Sequence, residues 1–161
     1  MKLLVKYSTI IVLSLFAFSC SEPVHERIDR INTVKEKLNY LGKTIEEIKT
    51  IEDVAALIKE DEYLIEYEYP IRENDTYVIT YRFKSAICYE FNIDAYLEKE
   101  SHAKKVMKEI LIDMANNEDF GETTLNNQKY TWISIDKTTL VEFSTFNIER
   151  GIVNLHVKSI K

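Results

Sequence analysis

One change of hydrophobic period decides most of what this 161-residue chain can fold into. Up to Glu60 apolar residues recur at steps of three and four, and beyond it they recur at steps of two. Tyr63, Ile65, Tyr67 and Tyr69 alternate with Leu64, Glu66 and Glu68, as in a strand with one buried face. Tyr77, Ile79, Tyr81 and Phe83 repeat the pattern, and so do Ile87, Tyr89 and Phe91. Pro70 and the stretch Glu73-Asn74-Asp75 mark the first turn. These connections are too short for parallel crossovers, so the three strands form an antiparallel meander. Ala103, Val106, Met107, Ile110, Leu111 and Met114 then return to helical spacing. Three more alternating runs follow, over 130–135, 139–146 and 152–157.

Before Glu60, Ile28, Ile31, Val34, Leu38 and Leu41 line one face of a helix predicted over 24–41, which Gly42 closes. Thr44-Ile45-Glu46-Glu47 has the spacing of a capping box and opens a second short helix, and 52–59 reads as a third helical piece. The sum is an α+β domain: an antiparallel sheet of about six strands, with N-terminal helices and one long amphipathic helix packed on one face. Residues 26–161 form a single unit, because the chain is 45% hydrophobic with only three Gly and two Pro, which leaves core material for one domain and no linker.

The first 19 residues are an address. Lys2 and Lys6 precede an apolar run, Ile10 to Phe18, that is too short to span a bilayer comfortably and reads as a cleaved export signal. Ser19 stands directly before Cys20, and the polar Ser21-Glu22-Pro23 follows. At these residues the chain resembles bacterial lipoproteins, whose signal ends in a lipobox and whose new N-terminal cysteine is acylated. Ala17 and Phe18 occupy the places where that family prefers Leu and a small residue. The resemblance implies a signal peptide over 1–19, a lipidated N-terminus and short tether over 20–25, and a diacylglyceryl group plus an amide-linked acyl chain on Cys20. More than one chain is needed because a single one anchors only marginally. It also implies attachment to a membrane of the bacterial cell envelope through that lipid, with Ser21 favouring the outer membrane. Ala17-Phe18-Ser19 also fits small-x-small cleavage of an ordinary secretory signal, which leaves a secreted or soluble periplasmic protein as the alternative to the preferred lipidated one.

Lys2 and Lys6 are the only charged residues among the first 19, so 19 of the 21 basic and all 27 acidic residues belong to the remainder, formally −8. That balance argues against nucleic acid and favours a basic protein partner. Glu66 and Glu68, alternate residues of a predicted strand, are the candidate binding residues. Cys88 is the one thiol left if Cys20 is acylated, but no nucleophile signature surrounds it and it reads as a small buried hydrophobe. No catalytic residue is assigned. His25, His102 and His156 lack the local pairing of a zinc site, and 116–122 places Phe120 where a calcium loop needs an oxygen donor. No metal or cofactor is expected. Tyr63, Tyr67, Tyr69, Tyr77, Tyr81 and Tyr89 read as filling between sheet and helices.

These readings converge on a non-catalytic, lipid-anchored protein that binds another envelope protein or supports envelope assembly. An acidic inhibitor or immunity-type protein against a basic toxin or cell-wall hydrolase is the alternative, and an envelope hydrolase using Cys88, or carboxylates that no motif marks, is less favoured. Intact-mass measurement of the mature protein is expected to show a chain starting at Cys20 with lipid mass added, and Cys20→Ala is expected to abolish the addition. An unmodified Cys20 at the mature N-terminus would leave secretion alone.

Overall fold

The computed structural model describes residues 34–160. The expected signal peptide, Cys20, the tether and His25 lie outside the described residues, as does most of the helix expected over 24–41. The described chain opens with α1 (Val34–Leu38) and α2 (Ile45–Ile51), followed by a 3-10 turn at Val54–Ala56. The strands β1 (Leu57–Glu60), β2 (Leu64–Pro70), β3 (Thr76–Lys84) and β4 (Ile87–Tyr96) come next, then the helix α3 (Glu100–Ala115). The strands β5 (Thr124–Asn126), β6 (Lys129–Ile133), β7 (Thr139–Ser144) and β8 (Ile152–Ser159) complete the chain order.

All eight strands belong to one antiparallel sheet in the order β1-β2-β3-β4-β8-β7-β6-β5. It consists of two four-stranded meanders joined where β4 pairs with β8, with α3 as the link between them. This overturns the expected architecture of about six strands under N-terminal helices and one long amphipathic helix packed on one face. Eight strands spaced about 4.8 Å apart make a sheet about 34 Å wide, whereas the 16 residues of α3 reach only about 24 Å. The sheet dominates, and three short helices attach to it. The two unexpected strands are its edges. β5 is exposed throughout and β1 nearly so, and a strand without a buried face leaves no alternation to read. The helical piece expected over 52–59 is likewise corrected: Glu52 caps the end of α2, and Leu57–Glu60 pairs with β2.

The inner face of the sheet carries the core. Ile65 and Tyr67 of β2, Tyr77, Ile79, Tyr81 and Phe83 of β3, and Phe91, Ile93 and Ala95 of β4 are buried there. Val153, Leu155 and Val157 of β8, Val141 and Phe143 of β7, and Trp132 of β6 continue it. Helix α3 adds Ala103, Val106, Ile110 and Met114, while Met107 and Leu111 are only half-buried. The alternation expected for β4 slips by one place. Arg82 pairs with Glu90 but Phe83 pairs with Cys88, so Tyr89 is a bulge residue. Cys88 therefore joins the core, while Ile87 and Tyr89 face out. Of the six tyrosines read as filling, Tyr67, Tyr77 and Tyr81 are buried and Tyr69 is half-buried, but Tyr63 and Tyr89 are exposed.

The N-terminal helices are tied on by polar contacts as well as by packing. Thr44 caps α2 in the reciprocal arrangement with Glu47 that the sequence predicts. Gly42, at φ +84°, closes the loop before it, and its N–H donates to the Cys88 carbonyl at 2.8 Å while the Cys88 N–H donates to Lys43. Just after α2, the buried carboxylate of Glu52 accepts from Lys37 Nζ at 2.7 Å, from the Tyr69 hydroxyl at 2.5 Å and from the Tyr81 hydroxyl. Burial, then the Glu52 charge, drives the Tyr81 phenol far above its ordinary value, so it remains a donor.

Gly151 sits where no other residue fits. Its φ is +76°, its carbonyl accepts from the Leu97 N–H at 2.8 Å, and an added Cβ would lie 1.9 Å from the Leu97 carbonyl oxygen. Gly151→Ala is expected to cost about 3 kcal/mol or more, from left-handed strain and the backbone clash together. A urea midpoint unchanged from wild type would show that the turn entering β8 relaxes freely.

Candidate functional site

From β2 to β6 the outer face of the sheet has a largely polar middle. Because side chains alternate, Glu66 and Glu68 of β2 project away from the core with Val78, Thr80 and Arg82 of β3 and with Glu90, Asn92 and Asp94 of β4. Asn154, His156 and Lys158 of β8, Leu140, Glu142 and Ser144 of β7, and Lys129 and Thr131 of β6 continue the surface, and the same register turns the apolar Leu64, Tyr96, Ile152 and Ile133 outward nearer its margins. The helices contribute their buried side chains to the opposite face. Strand register turns the outward residues into rows across the sheet. One row runs Glu66, Thr80, Asn92, His156, Glu142, Thr131.

A charged chain crosses this surface obliquely. Arg82 Nε lies 3.2 Å from Glu90, and Glu90 lies 3.5 Å from His156 Nε2. His156 Nδ1 is 3.2 Å from Glu142, which also accepts from Lys129 Nζ at 3.0 Å. Beside it Asn154 donates to Asp94 at 2.6 Å, and Thr80 donates to Glu66 at 3.4 Å. The outer face thus presents five carboxylates, Glu66, Glu68, Glu90, Asp94 and Glu142, against Arg82, Lys129, Lys158 and a histidine. Partial burial raises the Glu142 pKa, but the hydrogen bonds and charges of Lys129 and His156 outweigh it and hold the carboxyl below its usual range.

The structure places Glu66 and Glu68 on this surface, Glu66 half-buried and Glu68 exposed. It does not bring the neighbouring acids Glu60 and Asp61 to the same place. Glu60 pairs with Lys49 of α2 at 2.9 Å, and Asp61 accepts from the backbone N–H groups of Tyr63 and Leu64 in the β1–β2 turn. Glu90, Glu142 and His156 escaped sequence reasoning. Their outward positions follow from alternation, but their meeting depends on β8 lying between β4 and β7, which chain order does not reveal.

The other chemically competent groups are committed to structure. Cys88 is buried and its thiol contacts the Glu90 carbonyl oxygen at 3.6 Å. Burial pushes its pKa up to about 11, the opposite of the depression that activates a thiolate. His102 stands 3.2 Å from the buried Asp75, which also accepts the Glu98 N–H at 2.7 Å, and Arg72 Nη1 lies 3.1 Å from the His102 ring. This group fastens the β2–β3 turn to the start of α3. Among the described residues no serine, threonine or cysteine hydrogen-bonds to His102 or His156. Compared with known proteins, the chain matches no family model, no curated protein and no solved structure.

The depressed Glu142 pKa makes a stability prediction. A carboxylate favoured in the folded state contributes stability above its unfolded pKa of about 4.3 and loses it as pH falls through the lower folded value. Between about pH 5 and pH 3 the urea midpoint of the wild type should therefore fall more steeply than that of Glu142→Gln. Parallel curves would show that the Lys129 and His156 contacts are not kept in solution.

Proposed function

We propose that this chain is a lipid-anchored protein of the bacterial cell envelope, attached through Cys20 and placed in the outer membrane, whose sheet is a non-catalytic binding module for a basic protein. The observation that carries the binding reading is the open outer face. Across six strands its middle presents hydrogen-bonding side chains with a surplus of carboxylates, and the three helices among the described residues are applied to the other side. Such a surface is already ordered by cross-strand pairs, so little side-chain freedom is lost when a partner docks. Its negative field steers a positively charged surface toward it. The anchoring reading is supported by the positive start, the apolar run and the cysteine at the boundary. Among the described residues no helix is long and apolar enough to cross a membrane, and in this reading the lipid supplies the attachment.

The test is retention of proteins from detergent-solubilised envelope by wild type and by the Glu66→Lys/Glu68→Lys variant, side by side. A basic protein held by the wild type at about 0.05 M salt should be held about tenfold less well by the variant and released from both near about 0.5 M, where the screening length falls well below 10 Å. Equal retention by the two proteins would sink the reading. If the retained protein is a cell-wall hydrolase that the wild type inhibits, the partner class narrows to that of an inhibitor.

A further inference from the structure

Where the end of α3 meets the β5–β6 hairpin, the inner side of the sheet holds a cavity of about 520 Å³, a volume that suits one small molecule. Leu111 and Met114 of α3 line it, with Phe120 of the following loop and Tyr130 and Trp132 of β6. Met114 and Trp132 are buried, whereas Leu111, Phe120 and Tyr130 are half-buried and give the cavity apolar walls. The Tyr130 and Trp132 rings stack with centroids 5.9 Å apart. Among the described residues that line it, the exposed Glu122 alone is charged.

One polar group in this apolar wall is unused. Asn117 borders the cavity and is only 6% exposed. Its backbone N–H donates to the Met114 carbonyl at 3.2 Å, and its carbonyl accepts from the Phe120 N–H at 3.2 Å. Its side-chain Oδ1 accepts from the Asp119 N–H at 3.1 Å. This last contact fixes which way the amide is turned, because a backbone N–H needs the oxygen and not the nitrogen. Nδ2 is then the end with nothing to meet: it is buried, and among the described residues it has no hydrogen-bond partner. A donor buried without an acceptor is costly, and an oxygen brought by a ligand removes that cost.

We propose that this cavity is a binding site for a small neutral carbonyl compound, a ketone, ester or amide on an apolar body. The carbonyl oxygen accepts from Asn117 Nδ2, and the body lies against Leu111, Phe120 and Tyr130. The charge state of the ligand follows from the lining. A carboxylate would enter beside Glu122 with no cation to meet it, and an ammonium would set a positive charge against an N–H donor in an apolar wall. A hydrocarbon fills the space but leaves Nδ2 without an acceptor. The site lies on the other side of the sheet from Glu66 and Glu68, so it stands or falls separately from the docking surface.

Trp132 is the only tryptophan of the chain, so its single indole N–H signal reports this cavity directly in an NMR titration. The experiment titrates the full chain with acetophenone, isopropylbenzene and benzoate, following that signal and the side-chain amide signals of Asn117. Acetophenone is expected to shift both saturably, moving the amide protons downfield as they gain an acceptor. Isopropylbenzene is expected to move the indole signal without the downfield amide shift, and benzoate to bind at least about tenfold more weakly than acetophenone. Asn117→Leu is expected to lower the ratio of acetophenone to isopropylbenzene affinity about tenfold, the effect of one hydrogen bond. Ala115→Phe adds a ring at an exposed position of the lining and leaves Asn117 in place. It is expected to weaken both ligands at least about tenfold, and it keeps the test open should the Asn117 variant not fold. Non-saturating shifts with acetophenone, benzoate binding as tightly as the ketone, an affinity ratio unchanged in Asn117→Leu, or indifference to Ala115→Phe would overturn the assignment.

Discussion

Seven residue pairs between β4 and β8, from Glu90–Lys158 to Tyr96–Ile152, hold the two meanders in one sheet. Without that seam neither half has a complete core. Phe91, Ile93 and Ala95 pack beside Val157, Leu155 and Val153, none more than 2% exposed, and this strip lies in the middle of the inner face. On the other face the same pairing sets His156 beside Glu90, and β7 then brings Glu142 to the ring's other side. One backbone register therefore supplies both the apolar centre and the polar surface. A slip of one residue would exchange the two faces, which ties the identity of the outer surface to the stability of the core.

Charge is handled in opposite ways on the two sides. Outside, carboxylates and cations are linked in a partly solvated row where each pair contributes little, and the pattern matters more than any one contact. Inside, Glu52 is taken out of water and repaid by an ammonium and two phenols, a fully satisfied arrangement of the kind a buried charge requires. Two tyrosines thus serve the fold through their hydroxyls as well as their rings. The outer row leaves its charges facing solvent, and the inner network is a latch between the N-terminal helices and the sheet.

Much of this was visible in the chain and some was not, for reasons that lie in particular residues. Strands with one buried face, such as Ile65–Tyr69 and Tyr77–Phe83, announce themselves by alternation. The capping box at Thr44 did likewise. β1 and β5 gave no signal because they are exposed on both faces, and a four-residue apolar stretch such as Val54–Leu57 suits a helix as well as an approach to a strand. The hairpin turn at Ser85–Ala86 was hidden too, since both residues hold positive φ without the Asn or Gly that usually marks such a turn. Glu66 and Glu68 could be placed on an outward face from spacing alone. Their companions Glu90, Glu142 and His156 could be placed there one by one, but nothing local states that β8 inserts between β4 and β7. Reading Glu52 as the first residue of a helical piece gives no hint of its burial, because the phenols that bury it lie 17 and 29 residues away.

The strand that closes the seam comes last in chain order and ends up in the middle of the sheet. A polypeptide emerging N-terminus first can pair β1 to β4 early, yet one whole side of β4 stays open until Ile152–Ser159 arrives. During synthesis the chain therefore carries an unfinished edge and an uncovered apolar strip, and it commits to its native form only once β8 has emerged. The same order makes the final strand a poor place to lose residues: a shortened chain is left with two half-sheets, each offering a bare edge to other copies.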